Sequence, residues 1–264
     1  EYIDENLVCM GCNNFNNFED QDFDSRYKIL KELIIKFQKK DNRLFDCILG
    51  VSGGKDSLRQ ALWIRDKLKL KPLLVSYAYP PEHLNDRGAR NLSNLIEHGF
   101  DVLVTSPAPK TFKKIMKYCF YNFANWQKAS ELILYGSVPR IAISHDIKLV
   151  FVGEDQGQKE VKTLGEEGWD YNKQRELNTL GSGDISWLEN QDIQKSKLNP
   201  YRYPSEKLFQ EASIQVIDLG WFIKDWSFNI NGKYAILNGL EPRIEPVSDS
   251  GDLSCVSSVD EDWV

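Results

Sequence analysis

This sequence lacks most of what would send a chain into a membrane, out of the cell or onto a nucleic acid. A bilayer crossing takes roughly 20 apolar residues, whereas the longest apolar stretches, such as Leu149–Gly153 and Ile214–Leu219, are a handful of residues long. The opening residues hold no charged-then-apolar leader, so a soluble cytoplasmic protein with no membrane partner is expected. Cysteine is scarce and odd in number, five in 264 residues, which points to thiols or a metal rather than a disulfide frame. Positive charge is not in excess. Lys and Arg number 33 against 39 acids, a net charge of −6, and they are scattered among acids as on a solvated surface. That argues against a large nucleic-acid face, which would carry a basic patch. There are three histidines, His83, His98 and His145, and no cysteine carries a recognisable nucleophile signature. Repeats and low-complexity tracts are absent.

What is present is a chain that buries a full core. At 264 residues with 41% hydrophobic side chains, it fits one large α/β domain, alone or with a small appendage. Tyr27, Leu30, Leu33, Ile34 and Phe37 fall on one face of a helix over about Ser25–Lys39. Strands are expected at Leu44–Val51, Leu73–Tyr77, Asp101–Thr105, Leu149–Gly153 and Ile214–Leu219. Helices are expected after the first strand and at Arg87–Glu97, Thr111–Tyr121 and Trp126–Ser144. Strand alternating with helix predicts a parallel sheet with helices on both faces. Ligands bind such sheets beyond the carboxyl ends of the strands, where Gly50–Ser57, Ser76–Tyr79 and Gly153–Lys159 lie. Residues 155–210 break the alternation. Their glycines, acids and amides, with Trp169, Tyr171, Trp187, Tyr201 and Tyr203, predict an ordered substrate-binding insert.

The most informative stretch runs from Asp46 to Ser57. Ile48, Leu49 and Val51 read as a buried strand, and Gly53 and Gly54 allow backbone geometry that a side chain would block. Asp56 and Ser57 then open a helix whose free N–H groups and dipole favour an anion. Lys55 adds positive charge beside that nest and is expected to face solvent and phosphate. A Walker loop needs a hydroxyl directly after the lysine and four residues between its glycines. Here three residues separate Gly50 from Gly54, and Asp56 follows Lys55.

Ser52-Gly53-Gly54-Lys55-Asp56-Ser57 instead resembles the pyrophosphate loop (PP-loop) of the ATP pyrophosphatases. Further stretches, in order, resemble the N-acetyl sugar amidotransferase family of bacterial surface-polysaccharide biosynthesis. They are Val8–Phe15 with its Cys9-x-x-Cys12, Phe151-Val152-Gly153-Glu154, Tyr201-Arg202-Tyr203-Pro204 and Leu219–Trp226. Two departures are the missing first cysteine pair of that family's knuckle and a shortened C-terminal part. The chain opens at Glu1 and stops in an acidic, Ser-rich tail, so residues beyond both ends are expected. The organisation expected is a cysteine-pair segment over residues 1–24 and a PP-loop domain of HUP-like fold over residues 25–264.

The resemblance implies an enzyme that cleaves ATP between its α and β phosphates and turns a sugar N-acetyl group into an acetamidino group. Lys55, Asp56 and Ser57 would be the catalytic residues. ATP would lie on Ser52, Gly53, Gly54, Lys55, Asp56 and Ser57, with adenine near Ser76 and Tyr77 and the fourth strand contributing Gly153 and Glu154. Mg²⁺ keeps several waters and needs one or two carboxylates. Asp56 is one candidate, and Glu154 or Asp155 is another unless they form a solvated acidic loop. Cys9 and Cys12 are half of a zinc site or two ordinary cysteines in a turn. Without a Cys–His pair, ammonia is expected from a separate glutaminase, and the substrate is expected to be a nucleotide-activated N-acetyl sugar. Two other readings stand beside this one: a PP-loop tRNA-modifying enzyme, and a scaffold or sensor that binds ATP without turnover.

Overall fold

The computed structural model describes residues 3, 5–8, 12, 22–37, 44–77, 85–153, 169–177, 180–189 and 191–242. Helix α1 (Phe23–Phe37) buries Leu30, Leu33 and Ile34, the i, i+3, i+4 spacing that a single core-facing stripe requires. Next come strand β1 (Cys47–Val51) and helix α2 (Lys55–Trp63), which runs on into a π-helical turn at Ile64–Leu68. Strand β2 (Pro72–Tyr77), helix α3 (Asp86–Glu97) and strand β3 (Val102–Thr105) follow. Then come helix α4 (Pro109–Phe123), helix α5 (Lys128–Ser144) and strand β4 (Leu149–Val152). Asn85 starts α3 by accepting the Gly88 N–H on its side chain at 2.7 Å.

The five strands, with β5 at Gln215–Asp218, form one sheet in the order β3-β2-β1-β4-β5. Every pairing in it is parallel. The α/β reading holds, and strand ends move by one to three residues. The chain builds outward from β1 through β2 to β3, then returns to the other side of β1 with β4. The crevice between the carboxyl ends of β1 and β4 is thus the switch point at which open α/β sheets bind ligands.

Strand alternation sorts the core into two faces. Cys47, Leu49 and Val51 of β1, Leu74 of β2, and Leu149 and Phe151 of β4 pack with α1, α2 and a last helix, α8 (Phe228–Leu237, numbered after the short helices below). Ile48, Leu73, Val75, Val150 and Val216 point the other way, against Val138 and Ala142 of α5. Gly50 belongs to this second face, where a Cβ would meet the Val138 side chain at 2.9 Å. Each fully buried Leu, Ile or Phe contributes about 1.5–3 kcal/mol by leaving water.

The insert is described from residue 169 onward. Residues 169–172 run beside β5 in the antiparallel sense, with an isolated bridge from Asp170 to Ile217, and the Asn172 side chain accepts the Val216 N–H at 2.8 Å. Helical turns at Asn172–Glu176, Gly181–Gly183 and Lys195–Tyr201 and the short helices α6 (Ser186–Glu189) and α7 (Glu206–Glu211) fill the segment. Leu180, Leu188, Leu198, Tyr201 and Tyr203 pack with Tyr77, Phe112, Ile115, Cys119 and Leu132 into a second apolar cluster. Four of the insert's aromatics, Trp169, Tyr171, Tyr201 and Tyr203, are buried. Trp187 stacks on Tyr118 with ring centroids 5.4 Å apart. These rings serve packing, so order in the segment comes from apolar burial. Helices α7 and α8 have no counterpart in the sequence-based expectation.

Candidate functional site

The loop leaving β1 is shaped by two glycines with different duties. Gly53 sits at φ +85°, and a Cβ there would lie 3.1 Å from the Leu92 N and 3.2 Å from the Asn91 carbonyl carbon of α3. Conformation and close approach both demand glycine. Gly54 is the N-cap of α2 in extended geometry (φ −79°, ψ 177°), and no side chain caps the helix among the described residues. The first helical bond runs from the Leu58 N–H to the Gly54 carbonyl at 3.0 Å. The N–H groups ahead of it on α2 therefore open toward the switch point with the positive end of the helix dipole. The Ser57 hydroxyl turns back to donate to the Gly54 carbonyl at 3.1 Å, and Ser52 Oγ accepts the Gly54 N–H at 3.4 Å.

Lys55 does not face solvent as expected. It is 8% exposed, its Nζ donates to Asp56 Oδ2 at 2.8 Å, and it lies 4.4 Å from the centroid of the Phe228 ring. The cause is α8, which packs on α2 and offers an aromatic face to the ammonium. The same helix takes the other oxygen of Asp56: Asn231 Nδ2 donates to Oδ1 at 2.6 Å. Asn231 Oδ1 in turn accepts from Arg59 Nη1, and Arg59 also donates to the Asp225 carbonyl at 2.9 Å and to its carboxylate. The Trp226 and Tyr234 rings flank that guanidinium at 5.7 and 5.8 Å. A chain of contacts thus runs Asp225–Arg59–Asn231–Asp56–Lys55.

Ser76 and Tyr77 do not share a surface. Successive strand residues point to opposite faces. Tyr77 enters the cluster with Phe112, Cys119 and Tyr201, and Ser76 is turned toward the opposite side. Gly153 follows β4 directly against Gln60 of α2, whose amide atoms lie 2.2–2.5 Å from where a Cβ would stand. A side chain there would require the Gln60 amide to move. Gln60 Oε1 is buried at this point with no hydrogen-bond partner among the described residues. Glu154, Asp155 and Cys9 lie outside the described residues, and Cys12 is exposed. Among the described residues no group of three or more His, Cys, Asp or Glu side chains is placed to hold a metal. A zinc site therefore gains no support.

Two further sets of ionisable groups border this end of the sheet. Asp218 closes β5 fully buried and accepts the Gly220 N–H at 3.2 Å. Its charge partly offsets the burial that pulls the Arg26 guanidinium down to about 10. Arg26 lies 3.8 Å over the Trp221 ring and donates to the Trp221 carbonyl at 2.7 Å, which makes the set a structural clasp. Behind Tyr77, burial pushes the Cys119 thiol up to about 11 and raises the Tyr201 phenol, so both stay neutral. Cys119 is therefore not a thiolate nucleophile. Arg59, Gln60, Phe228 and Asn231 carry no motif and were not picked out from the sequence. Asp225 and Trp226 lie in the quoted Leu219–Trp226 stretch, the one signal that pointed near them.

No protein-family model and no curated protein sequence matches the chain. Among solved structures the chain is similar to the U34-tRNA thiolase NcsA from Methanococcus maripaludis with its 4Fe-4S cluster. The two are 16% identical over 87% of this chain and 69% of that one, with a TM-score of 0.37. A superposition of that quality does not carry the thiolase's cluster or its tRNA over to this chain.

Proposed function

We propose that this chain is an ATP-using, AMP-forming enzyme of the PP-loop type. In the fuller form of the reading it replaces the carbonyl oxygen of a sugar N-acetyl group by nitrogen. The observation that carries it is the uncapped N-terminus of α2 at the β1/β4 switch point, entered through a glycine at φ +85° and flanked by Lys55 and Asp56. Fixed N–H donors suit the departing pyrophosphate, since they stabilise its charge without reorganising. Asp56 accepts from Lys55 and from Asn231, and carboxylate oxygens are the ligands Mg²⁺ takes. Mg²⁺, when bound, supplies charge neutralisation across the phosphate oxygens.

An amide carbonyl is a poor electrophile and its oxygen a poor leaving group. Attack of that oxygen on the α-phosphorus breaks the α–β bridge, releases pyrophosphate and makes the oxygen part of AMP. Ammonia then adds to the carbon and loses a proton, and AMP departs to leave an acetamidino group. Gly53, Gly54 and the first N–H groups of α2 would hold the phosphates, and Lys55 would turn from Asp56 to the phosphate. The nitrogen would come as ammonia from a separate glutaminase, since no cysteine carries a recognisable nucleophile signature and Cys119 is a buried neutral thiol. This fits a soluble cytoplasmic enzyme acting on a nucleotide-carried sugar in surface-polysaccharide assembly.

The test is to incubate the protein with ATP, Mg²⁺, ammonium and a panel of nucleotide-activated diacetamido sugars, with bulk tRNA as a parallel arm. The expected product is a sugar lighter by the difference between O and NH, formed with ammonium but not with glutamine alone. Consumption of ATP only in the tRNA arm would replace the sugar reading by the RNA one.

A further inference from the structure

We infer that helix α8 completes the nucleotide site, with Asn231 as the positioning residue that sets Asp56 for magnesium-bound phosphate. The inference rests on the PP-loop reading and assigns a role to a part of the chain that no motif marks.

The orientation of Asn231 is set by its neighbours. An amide side chain can be turned either way, and the neighbours decide. A guanidinium has only donors, so the oxygen of Asn231 must face Arg59 and its NH₂ must face Asp56. Arg59 is itself fixed by the Asp225 carbonyl and carboxylate and by two flanking rings. Asn231 is 1% exposed and has no room to swing. Asp56 Oδ1 is therefore held at 2.6 Å by a donor whose direction is set from two sides. Each carboxylate oxygen carries two lone-pair sites. One site on each is taken, by Asn231 and by Lys55, and one on each is left for a cation or its waters.

Helix α8 turns a polar and small face inward. A helix that merely packed on α2 would bury its aliphatic side chains. This one buries Asn231, Gly232 and Ala235, while Ile230, Ile236 and Leu237 are exposed at 42%, 44% and 86%. The polar and small face lies against the first turn of α2, and Phe228, in the first turn of α8, seats the Lys55 ammonium. An arrangement that exposes aliphatic surface to bring an amide to a loop carboxylate fits positioning of that carboxylate better than adhesion.

The test uses calorimetric titration with ATP, once with excess Mg²⁺ and once with EDTA, on the wild type, Asn231→Leu and Asn231→Asp. The Asp variant keeps an acceptor for Arg59 and replaces the donor to Asp56 by a carboxylate oxygen. Losing a residue that orients a metal ligand costs about 10–100-fold in affinity. Both variants should therefore bind magnesium–ATP at least about tenfold more weakly while ATP in EDTA binds as to the wild type. A purely structural role would lower the melting temperature and leave the magnesium dependence intact, and that result would overturn the inference. A wild type that binds ATP under neither condition would overturn both the PP-loop reading and the inference, whereas normal magnesium dependence in both variants would overturn the inference alone.

Discussion

The loop corner and the insert meet the same sheet and are held by opposite means. Around Lys55 and Asp56 the contacts are charge-assisted hydrogen bonds and cation–ring contacts among Arg59, Asp225, Phe228 and Asn231. In the insert they are apolar: Leu180, Leu188, Leu198 and Tyr201 are buried with Phe112 and Ile115. Hydrogen bonds add modestly to stability, since folding forms them at the expense of bonds to water, but they fix where charge sits. Apolar burial adds much and is indifferent to charge. The first region is therefore expected to decide turnover and the second to decide folding.

The sharpest way to break that division is a large cut in the insert cluster. Phe112 is 1% exposed, and Phe112→Ala should cost about 3–5 kcal/mol through lost burial and a residual cavity, read as a lower urea midpoint. Activity per folded molecule should survive. Next comes Lys55→Ala, expected to slow AMP release by about 10²-fold, the usual effect of removing one charge-stabilising group. Because its partner Asp56 is 39% exposed at the side chain, stability should move by less than about 1 kcal/mol. A large loss of stability here with turnover retained would reverse the assignment of the two regions.

The smallest effect is in the alkaline limb. The Cys119 thiol is raised from 9.0 to about 11 by burial, so its contribution is complete below pH 9 and is lost as pH rises through about 11. Tyr201, raised for the same reason, acts in the same direction. Arg26, lowered to about 10, opposes them, since its burial penalty fades above that pH. Melting temperature should fall between pH 9 and 11, and Cys119→Val should flatten part of that fall. An unchanged slope in the variant would remove Cys119 from the account.

The sheet was readable because it follows from local pattern. The Ile48–Val51 run, the glycine pair and the helix after it stand as expected, and Cys47 and Cys119, read as core residues, are both fully buried. The site was readable only in part. Ser76 and Tyr77 are neighbours in sequence, yet the pleat sends them to opposite faces. Burial of Lys55 depends on Phe228, far along the chain, and nothing local announces it. Helix α8 was invisible to periodicity because its inward residues are Asn231 and Gly232 and its outward ones are Ile236 and Leu237. A polar face turned inward inverts the amphipathic signal.

The proposed chemistry requires that ATP be cleaved between its α and β phosphates. Phosphorus NMR of the protein with ATP, Mg²⁺, ammonium and the diacetamido-sugar panel reads this directly. The expected spectrum gains AMP and pyrophosphate in equal amounts, both formed about 10²-fold more slowly in Lys55→Ala. ADP with inorganic phosphate would contradict it, whatever the sugar.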